Sequence, residues 1–164
     1  MITESQTIRE AKDFLHENME AGCQCPACGQ NVKLYKRPIN SGCARFLIGL
    51  YRLTLNEKKT WGTKGWSFFT NDEIRKEALL NSKGLAYGII RHWELAERAP
   101  ASDDKKKTSG QWKLTTKGYF FVTRQIRIPK RALIYNNSLI GFGPEDTDIQ
   151  ETLGEDYNYK ELMQ

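Results

Sequence analysis

Three of the four cysteines of the chain fall within six residues, and this cluster constrains the fold more than any other feature of the sequence. Cys25 and Cys28 belong to a C-P-A-C-G motif at residues 25–29, and Cys23 lies just before it. The two-residue gap lets both thiolates reach one tetrahedral zinc ion at Zn–S distances of about 2.3 Å. The glycine that follows permits the positive φ with which such a turn closes. The motif therefore predicts a zinc knuckle.

The sequence leaves the remaining ligands of the zinc site open. Cys23 and Cys43 would complete a four-cysteine site, and His16, near the end of the first predicted helix, is a substitute ligand. Cys43 is equally compatible with a small buried side chain on a helix, which is common for cysteine. Because four protein ligands leave no position for a water molecule, the expected zinc is structural.

Two other uses of cysteine compete with zinc. Disulfides are seldom kept inside cells, and the first residues of the chain show no signal peptide, so the sequence favours a reducing, cytoplasmic setting. Thiol–disulfide exchange usually places a C-x-x-C motif at the start of a helix that follows a strand. Here the motif follows a predicted helix and precedes a short predicted strand, which favours zinc.

The charge of the chain is unevenly distributed. The whole chain has a net charge of +5, but residues 23–134 hold 22 basic and 8 acidic residues, or +14. Residues 1–22 carry −3 and residues 135–164 carry −6. A strongly basic body attracts polyanions, above all nucleic acid, although an acidic protein partner is equally compatible with charge. No apolar run approaches the ~18 residues that a membrane span needs, so no membrane partner is expected.

Apolar periodicity and capping signals predict an α+β chain. Thr70 and Glu73 form a capping box. Helices are predicted over residues 5–21, 41–55, 71–80, 83–96, 115–122 and 157–163. Strands are predicted over residues 32–36, 66–69 and 111–114, and two more within 126–142 are joined by a tight turn at 136–138. The expected organisation is an N-terminal helix and zinc knuckle in residues 1–40, a winged helix-turn-helix in 41–124, and a β-hairpin with an acidic tail in 125–164.

The order of elements in residues 41–124 resembles that of a winged helix-turn-helix: helix, short strand, helix, tight turn, helix, hairpin and strand. In such folds the second helix of the pair enters the major groove, and the wing lies on the phosphates or in the minor groove. The resemblance implies a recognition helix at about 82–95, in which Gly84 and Gly88 each lower helix propensity by about 1 kcal/mol, and a wing at 99–111. The candidate nucleic-acid contacts are Lys33, Lys36, Arg37, Arg45, Lys83, Tyr87, Arg91, Lys105, Lys106 and Lys107.

Three motifs together carry a second resemblance. They are C-P-x-C-G at residues 25–29, K-x-Y-K-R at 33–37 and N-S-x-x-A-R-x-L at 40–47. The combination resembles small phage and prophage proteins of unassigned function that join a zinc knuckle to a winged helix-turn-helix. The resemblance covers roughly residues 23–142. It implies a viral or prophage origin and expression in the cytoplasm of a bacterial host, and it supplies no activity.

The sequence therefore predicts a zinc-containing, winged-helix regulator that binds double-stranded DNA. The alternative is a phage module that binds a host protein and inhibits or redirects a host nucleic-acid-binding complex, because the clustered carboxylates of the tail mimic phosphate. A P-loop, an H-E-x-x-H motif and a nucleophile elbow are all missing from the sequence, so neither an enzyme nor a small-molecule substrate is expected.

The acidic tail at residues 145–161 has two interpretations. It would shield the basic body, with four apolar or aromatic side chains packed against the domain as anchors, or it would be a solvated and partly disordered end. The four expected anchors are Tyr157, Tyr159, Leu162 and Met163.

Overall fold

The computed structural model describes residues 7–61, 66–80, 86–101 and 109–164, and of residues 58–61, 86 and 87 it describes the backbone only. The predicted α+β class is confirmed, since helices combine with small antiparallel sheets. Within the described ranges, no helix is both long and apolar enough to cross a lipid bilayer. The α-helices are α1 (Ile8–Asn18), α2 (Ser41–Trp61), α3 (Asn71–Glu77), α4 (Thr116–Val122), α5 (Ile149–Leu153) and α6 (Tyr159–Leu162), and a 3-10 helix spans Ala86–Trp93.

The strands are short and pair in four antiparallel sheets. Two sheets are pairs, β1 with β2 and β7 with β10, and the others have the orders β3-β8-β9 and β4-β6-β5. The strands are β1 (Cys23–Gln24), β2 (Asn31–Val32), β3 (Tyr35–Pro38), β4 (Phe69–Thr70), β5 (Ala96–Arg98), β6 (Gln111–Leu114), β7 (Ile128–Pro129), β8 (Arg131–Tyr135), β9 (Ser138–Phe142) and β10 (Asp146–Thr147).

Helix α2 lies at the centre of the core. Asn40 and Ser41 are both capping residues by sequence, and Asn40 is the cap, because its side-chain oxygen accepts a 3.0 Å hydrogen bond from the Cys43 N–H. From residue 43 to residue 50, every residue except Arg45 is buried, which is typical of a helix surrounded on all sides. The core cluster that contains these residues also includes Trp93, Trp112, Phe121, Ile128 and Ile149.

The predicted capping box at the start of α3 is confirmed. The Thr70 N–H donates a 2.7 Å hydrogen bond to the Glu73 carboxylate, and the Thr70 hydroxyl accepts one of 3.3 Å from the Glu73 N–H. Trp112 on β6, the central strand of the following sheet, pairs with Phe69 on one side and Arg98 on the other. Trp112 is buried, and its indole N–H donates a 2.8 Å hydrogen bond to Asn71.

The segment predicted as an α-helix over residues 83–96 differs from the prediction. Its described part is a 3-10 helix at Ala86–Trp93. Gly88 and the β-branched residue Ile89 disfavour the α-helix. Ile90 and Trp93 are both fully buried, and their spacing of three residues matches the 3.0 residues per turn of a 3-10 helix. The segment thus adopts the helix type that directs these two side chains into the core.

The C-terminal hairpin is confirmed, and it has a third strand that the sequence did not reveal. Asn136 and Asn137 join β8 to β9 with φ values of 46° and 60°, as a type I′ turn requires. Strand β3 pairs with the other side of β8, from Tyr35 opposite Ile134 to Pro38 opposite Arg131. Proline is tolerated there because β3 is an edge strand. One sheet therefore combines β3, from the predicted N-terminal part at residues 1–40, with β8 and β9, from the predicted C-terminal part at residues 125–164.

The acidic tail is folded against the domain. Strand β10 pairs with β7, and Asp148 caps α5 by accepting a 2.9 Å hydrogen bond from the Glu151 N–H. Ile149 and Leu153 are buried in the core. The four expected anchors are partly buried side chains packed against the core: Tyr157, Tyr159, Leu162 and Met163. The interpretation of the tail as a partly disordered end does not fit this packing.

Candidate metal-binding turn and nucleic-acid groove

The turn between β1 and β2 presents Cys25 and Cys28 side by side. The Cys25 N–H donates a 2.7 Å hydrogen bond to the Gln30 carbonyl, and the Gly29 N–H, at φ 71°, donates one of 2.8 Å to the Cys25 carbonyl. The backbone N–H groups of Cys28 and Ala27 and the thiol of Cys28 lie close to the Cys25 sulfur. These contacts, that of the Cys28 N–H first, lower the pKa of Cys25 and favour the thiolate that binds metals.

The other cysteines lie elsewhere. Cys43 is fully buried on α2, and burial raises the pKa of its thiol to about 11. Cys23 is half-buried on β1, where it pairs with Val32. In the part of the chain that the structure describes, no three His, Cys, Asp or Glu side chains come together as a metal-binding group. The completion of the zinc site by Cys23, Cys43 or His16 stays a prediction.

The basic residues before α2 are exposed to solvent. Lys33 follows β2, whereas Lys36 and Arg37 belong to β3. Lys36 forms a 3.3 Å ion pair with the exposed carboxylate of Glu20. The guanidinium of Arg37 lies 5.2 Å from the centre of the Tyr35 ring, a cation–π arrangement. Strand β3 thus carries a short basic and aromatic stripe.

Arg45 has a different environment from these residues. Its guanidinium donates hydrogen bonds to the Tyr157 hydroxyl and to the carbonyls of Ala78 and Leu79. Three acceptors within the chain therefore hold the side chain that the sequence analysis predicts to contact nucleic acid. Arg45 is not part of the nucleic-acid-binding surface proposed below.

Two of the predicted nucleic-acid contacts line one groove. This groove, of about 750 Å³, lies between β3, the β8–β9 turn and the 3-10 helix. Burial and then the charge of Arg91 lower the pKa of His92, which favours its neutral imidazole. The polar side chains that line the groove are Tyr35, Arg37, Asn40, Arg91, His92, Asn136 and Asn137.

The groove suits a polyanion. The lining residues that the structure describes include no carboxylate, and within the same part of the chain no carboxylate forms an ion pair with Arg37 or Arg91. Its guanidinium and amide groups are donors that bind phosphate oxygens. Sequence reasoning missed Asn136 and Asn137 as site residues because it identified them only as a turn, and the pairing of β3 with β8 is what brings them to Arg37.

The remaining predicted contacts fall partly or wholly outside the described residues. Lys83 and the three wing lysines at residues 105–107 lie outside them, and of Tyr87 only the backbone is described. The hairpin that flanks the wing residues is described. Its strands β5 and β6 pair from Ala96 opposite Leu114, and the Ala99 N–H donates a 3.0 Å hydrogen bond to the Gln111 carbonyl.

The tail carboxylates pair with another set of basic residues. Glu151 contacts Arg127 at 2.8 Å, and Glu145 contacts Arg131 at 2.8 Å. The tail thus neutralises arginines close to β7 and β8, and the groove arginines stay exposed to solvent.

Comparison of the chain with protein-family models, with curated proteins and with solved structures finds no match.

Proposed function

We propose that the chain is a zinc-containing winged helix-turn-helix protein that binds double-stranded DNA. The observation that carries the proposal is the succession α2, β4, α3, 3-10 helix, β5 and β6 with the sheet order β4-β6-β5. In this arrangement β6, the second strand of the hairpin, pairs with β4, which precedes α3 and the 3-10 helix. The 3-10 helix takes the place of the recognition helix, and the β5–β6 hairpin takes that of the wing.

The charge distribution supports a DNA ligand. Residues 23–134 carry a net charge of +14, and a basic surface gains affinity for DNA by releasing counterions from the phosphates. Arg91 lies on the 3-10 helix and lines the groove together with Arg37 on β3. The three wing lysines at residues 105–107 follow β5 in the sequence. In the proposed complex, the phosphate backbone contacts both the groove and the wing lysines.

Zinc has a bracing role in this proposal. Cys25 and Cys28 lie at the tip of the β1–β2 hairpin, and this hairpin leads directly into β3, which carries Arg37. Binding of structural zinc contributes folding free energy. Zinc at the turn would therefore stiffen the segment that positions Arg37, and removal of zinc would loosen residues 23–45.

A host protein is the second candidate partner. Leu139, Ile140 and Phe142 on β9 keep 37%, 48% and 38% of their surface exposed. Strand β9 is an edge of the β3-β8-β9 sheet, and exposed apolar edge strands are surfaces to which other chains bind. This observation favours the alternative of a module that docks on a host nucleic-acid-binding complex.

Salt-dependent binding to random-sequence duplex DNA separates the two functions. If Arg37, Arg91 and the three wing lysines each contact one phosphate, a plot of log K against log salt has a slope of about −4.5. Alanine at residues 105, 106 and 107 together reduces the slope by about 3 and weakens binding to all sequences alike. Lys160→Ala, on α6, is the control. A folded protein that binds no duplex at low salt contradicts the proposal and leaves the protein-docking function.

A further inference from the structure

The β1–β2 turn holds half of a zinc site. It offers the thiols of Cys25 and Cys28, which lie near each other at the tip of the β1–β2 hairpin. Structural zinc takes four protein ligands in tetrahedral geometry. Among the residues that the structure describes, no third His, Cys, Asp or Glu joins this pair. Two of the four positions on the metal therefore need ligands from another source.

The other candidate ligands of the same chain are poorly placed to supply them. Cys43 is 0% exposed and belongs to the core cluster. Moving its side chain to the surface would therefore leave a cavity in the core. His16 lies on α1 and borders a different hollow, with Lys12, Leu15 and Tyr135. Cys23 lies on β1 opposite Val32, and among the described residues it joins no group of three possible ligands.

The turn is built so that a second protein molecule is able to approach it. Cys28 and the residues that follow it, up to Asn31, are exposed. Residues 21–32 contain no charged residue, although 27% of the whole chain is charged. Two copies of a strongly basic protein repel each other at most surfaces, and this neutral tip is a place where they meet without like charges in contact.

We propose that two copies of this chain share one zinc ion, to which each contributes Cys25 and Cys28. The inference rests on the zinc binding proposed above. Four thiolates close the tetrahedral site, and each thiol releases its proton to solvent when it binds the metal. A two-fold axis through the ion makes the contact isologous, so that the same turn is used by both copies. The zinc-linked dimer carries two winged domains.

The test is a zinc titration of the metal-free, reduced wild-type chain, followed by native mass spectrometry and light scattering. The expected product has twice the 18.9 kDa mass of the chain, forms with a break at about 0.5 zinc per chain, and returns to monomer when a chelator is added. One zinc bound per monomer, or a chain that stays monomeric and metal-free, overturns the inference.

Variants assign the ligands. Cys25→Ser and Cys28→Ser each abolish zinc binding and dimer formation, whereas Cys23→Ser, two residues away on β1, keeps both. Circular dichroism shows whether each variant is folded. If Cys23→Ser loses the dimer and the wild-type chain binds one zinc per monomer, the zinc site lies within one chain and the inference is wrong. DNA binding is measured separately on the wild-type chain with zinc present, whatever its oligomeric state in the titration, so failure of the shared site and failure of the DNA-binding proposal are distinguishable.

Discussion

The guanidinium of Arg45 donates a 3.0 Å hydrogen bond to the hydroxyl of Tyr157 and lies 4.5 Å from the centre of that ring. Its second terminal nitrogen donates to the carbonyls of Ala78 and Leu79 at 3.1 and 2.6 Å. One side chain of α2 therefore connects the end of α3 to the acidic tail. The contact explains why an arginine with a candidate role in nucleic-acid binding is instead held by other parts of the chain.

Arg45→Ala is expected to lower the free energy of unfolding and to leave the DNA affinity of the folded protein unchanged. The carbonyls of Ala78 and Leu79 would lose their donor; water can replace it at the exposed Leu79, and loss of the part-buried bond to Ala78 costs about 0.5–1.5 kcal/mol. Arg45→Lys should lose nearly as much, because lysine lacks the planar fork of donors. Urea unfolding and fluorescence anisotropy with duplex DNA measure the two effects. Weaker DNA binding with an unchanged unfolding midpoint would return Arg45 to the nucleic-acid surface.

The tail is expected to contribute to stability through Leu153. This side chain is 1% exposed, and Leu153→Ala should cost about 2–5 kcal/mol because it leaves a cavity in the core. Leu139→Ala, at a leucine that is 37% exposed, is the control and should cost less than about 1 kcal/mol. Thermal unfolding of both variants gives the comparison. Equal melting temperatures would mean that the tail does not belong to the core.

The groove is expected to bind phosphate through Arg37 and Arg91. Each alanine variant should weaken duplex binding and reduce the salt slope by about 1, and the double variant should reduce it by about 2 because the two contacts are separate. Lys160→Ala removes the same charge outside the groove and should change the slope little. Arginine variants that behave like Lys160→Ala would show that net charge, and not the groove, determines affinity.

The capping box at α3 predicts an acid-sensitive contribution to stability. Thr70→Ala should cost about 1 kcal/mol at neutral pH. Hydrogen bonds from the Thr70 backbone and hydroxyl lower the pKa of Glu73. Its contribution is therefore fully present above the pKa of the unfolded state, and it is lost as the pH falls through the folded value. Glu73→Gln should thus destabilise the protein at about pH 7 and make little difference near pH 2, with exposed Glu155→Gln as the control. An equal loss at both pH values contradicts this assignment.

The four cysteines are expected to differ in reactivity in the metal-free protein. Burial raises the pKa of Cys43 to about 11, and its side chain is fully buried, so alkylation at neutral pH should modify it last. Cys25 should react first, because N–H groups of the turn lower its pKa and so increase its thiolate fraction. Mass spectrometry of timed alkylation, with the urea-unfolded chain as reference, gives the order. Rapid modification of folded Cys43 would show that α2 opens readily.

The sequence predicted the features that depend on neighbouring residues. The capping box of Thr70 and Glu73 and the Asn136–Asn137 turn each involve contacts within four residues, and both are confirmed. Asp148 and Glu151 form another capping box. This signal was present in the sequence and would have predicted α5.

Pairing between distant segments could not be predicted in this way. Nothing near Tyr35 indicates that its strand pairs with β8, and that pairing creates the groove. The helix type at Ala86–Trp93 also depends on tertiary packing, because the buried positions of Ile90 and Trp93 outweigh the amphipathic pattern. Gly118 is a similar case: an added Cβ would lie 1.9 Å from the Leu95 carbonyl oxygen, a close approach that only the folded chain reveals.

The pairing of β3 with β8 also has a consequence for synthesis on the ribosome. Strand β8 begins 93 residues after Pro38, the last residue of β3, and translation at about 5–20 residues per second needs about 5–20 s to make that length. Arg37 therefore emerges well before the strand that pairs with its own strand has been made. The groove between β3 and the β8–β9 turn is complete only when nearly all of the chain has been translated.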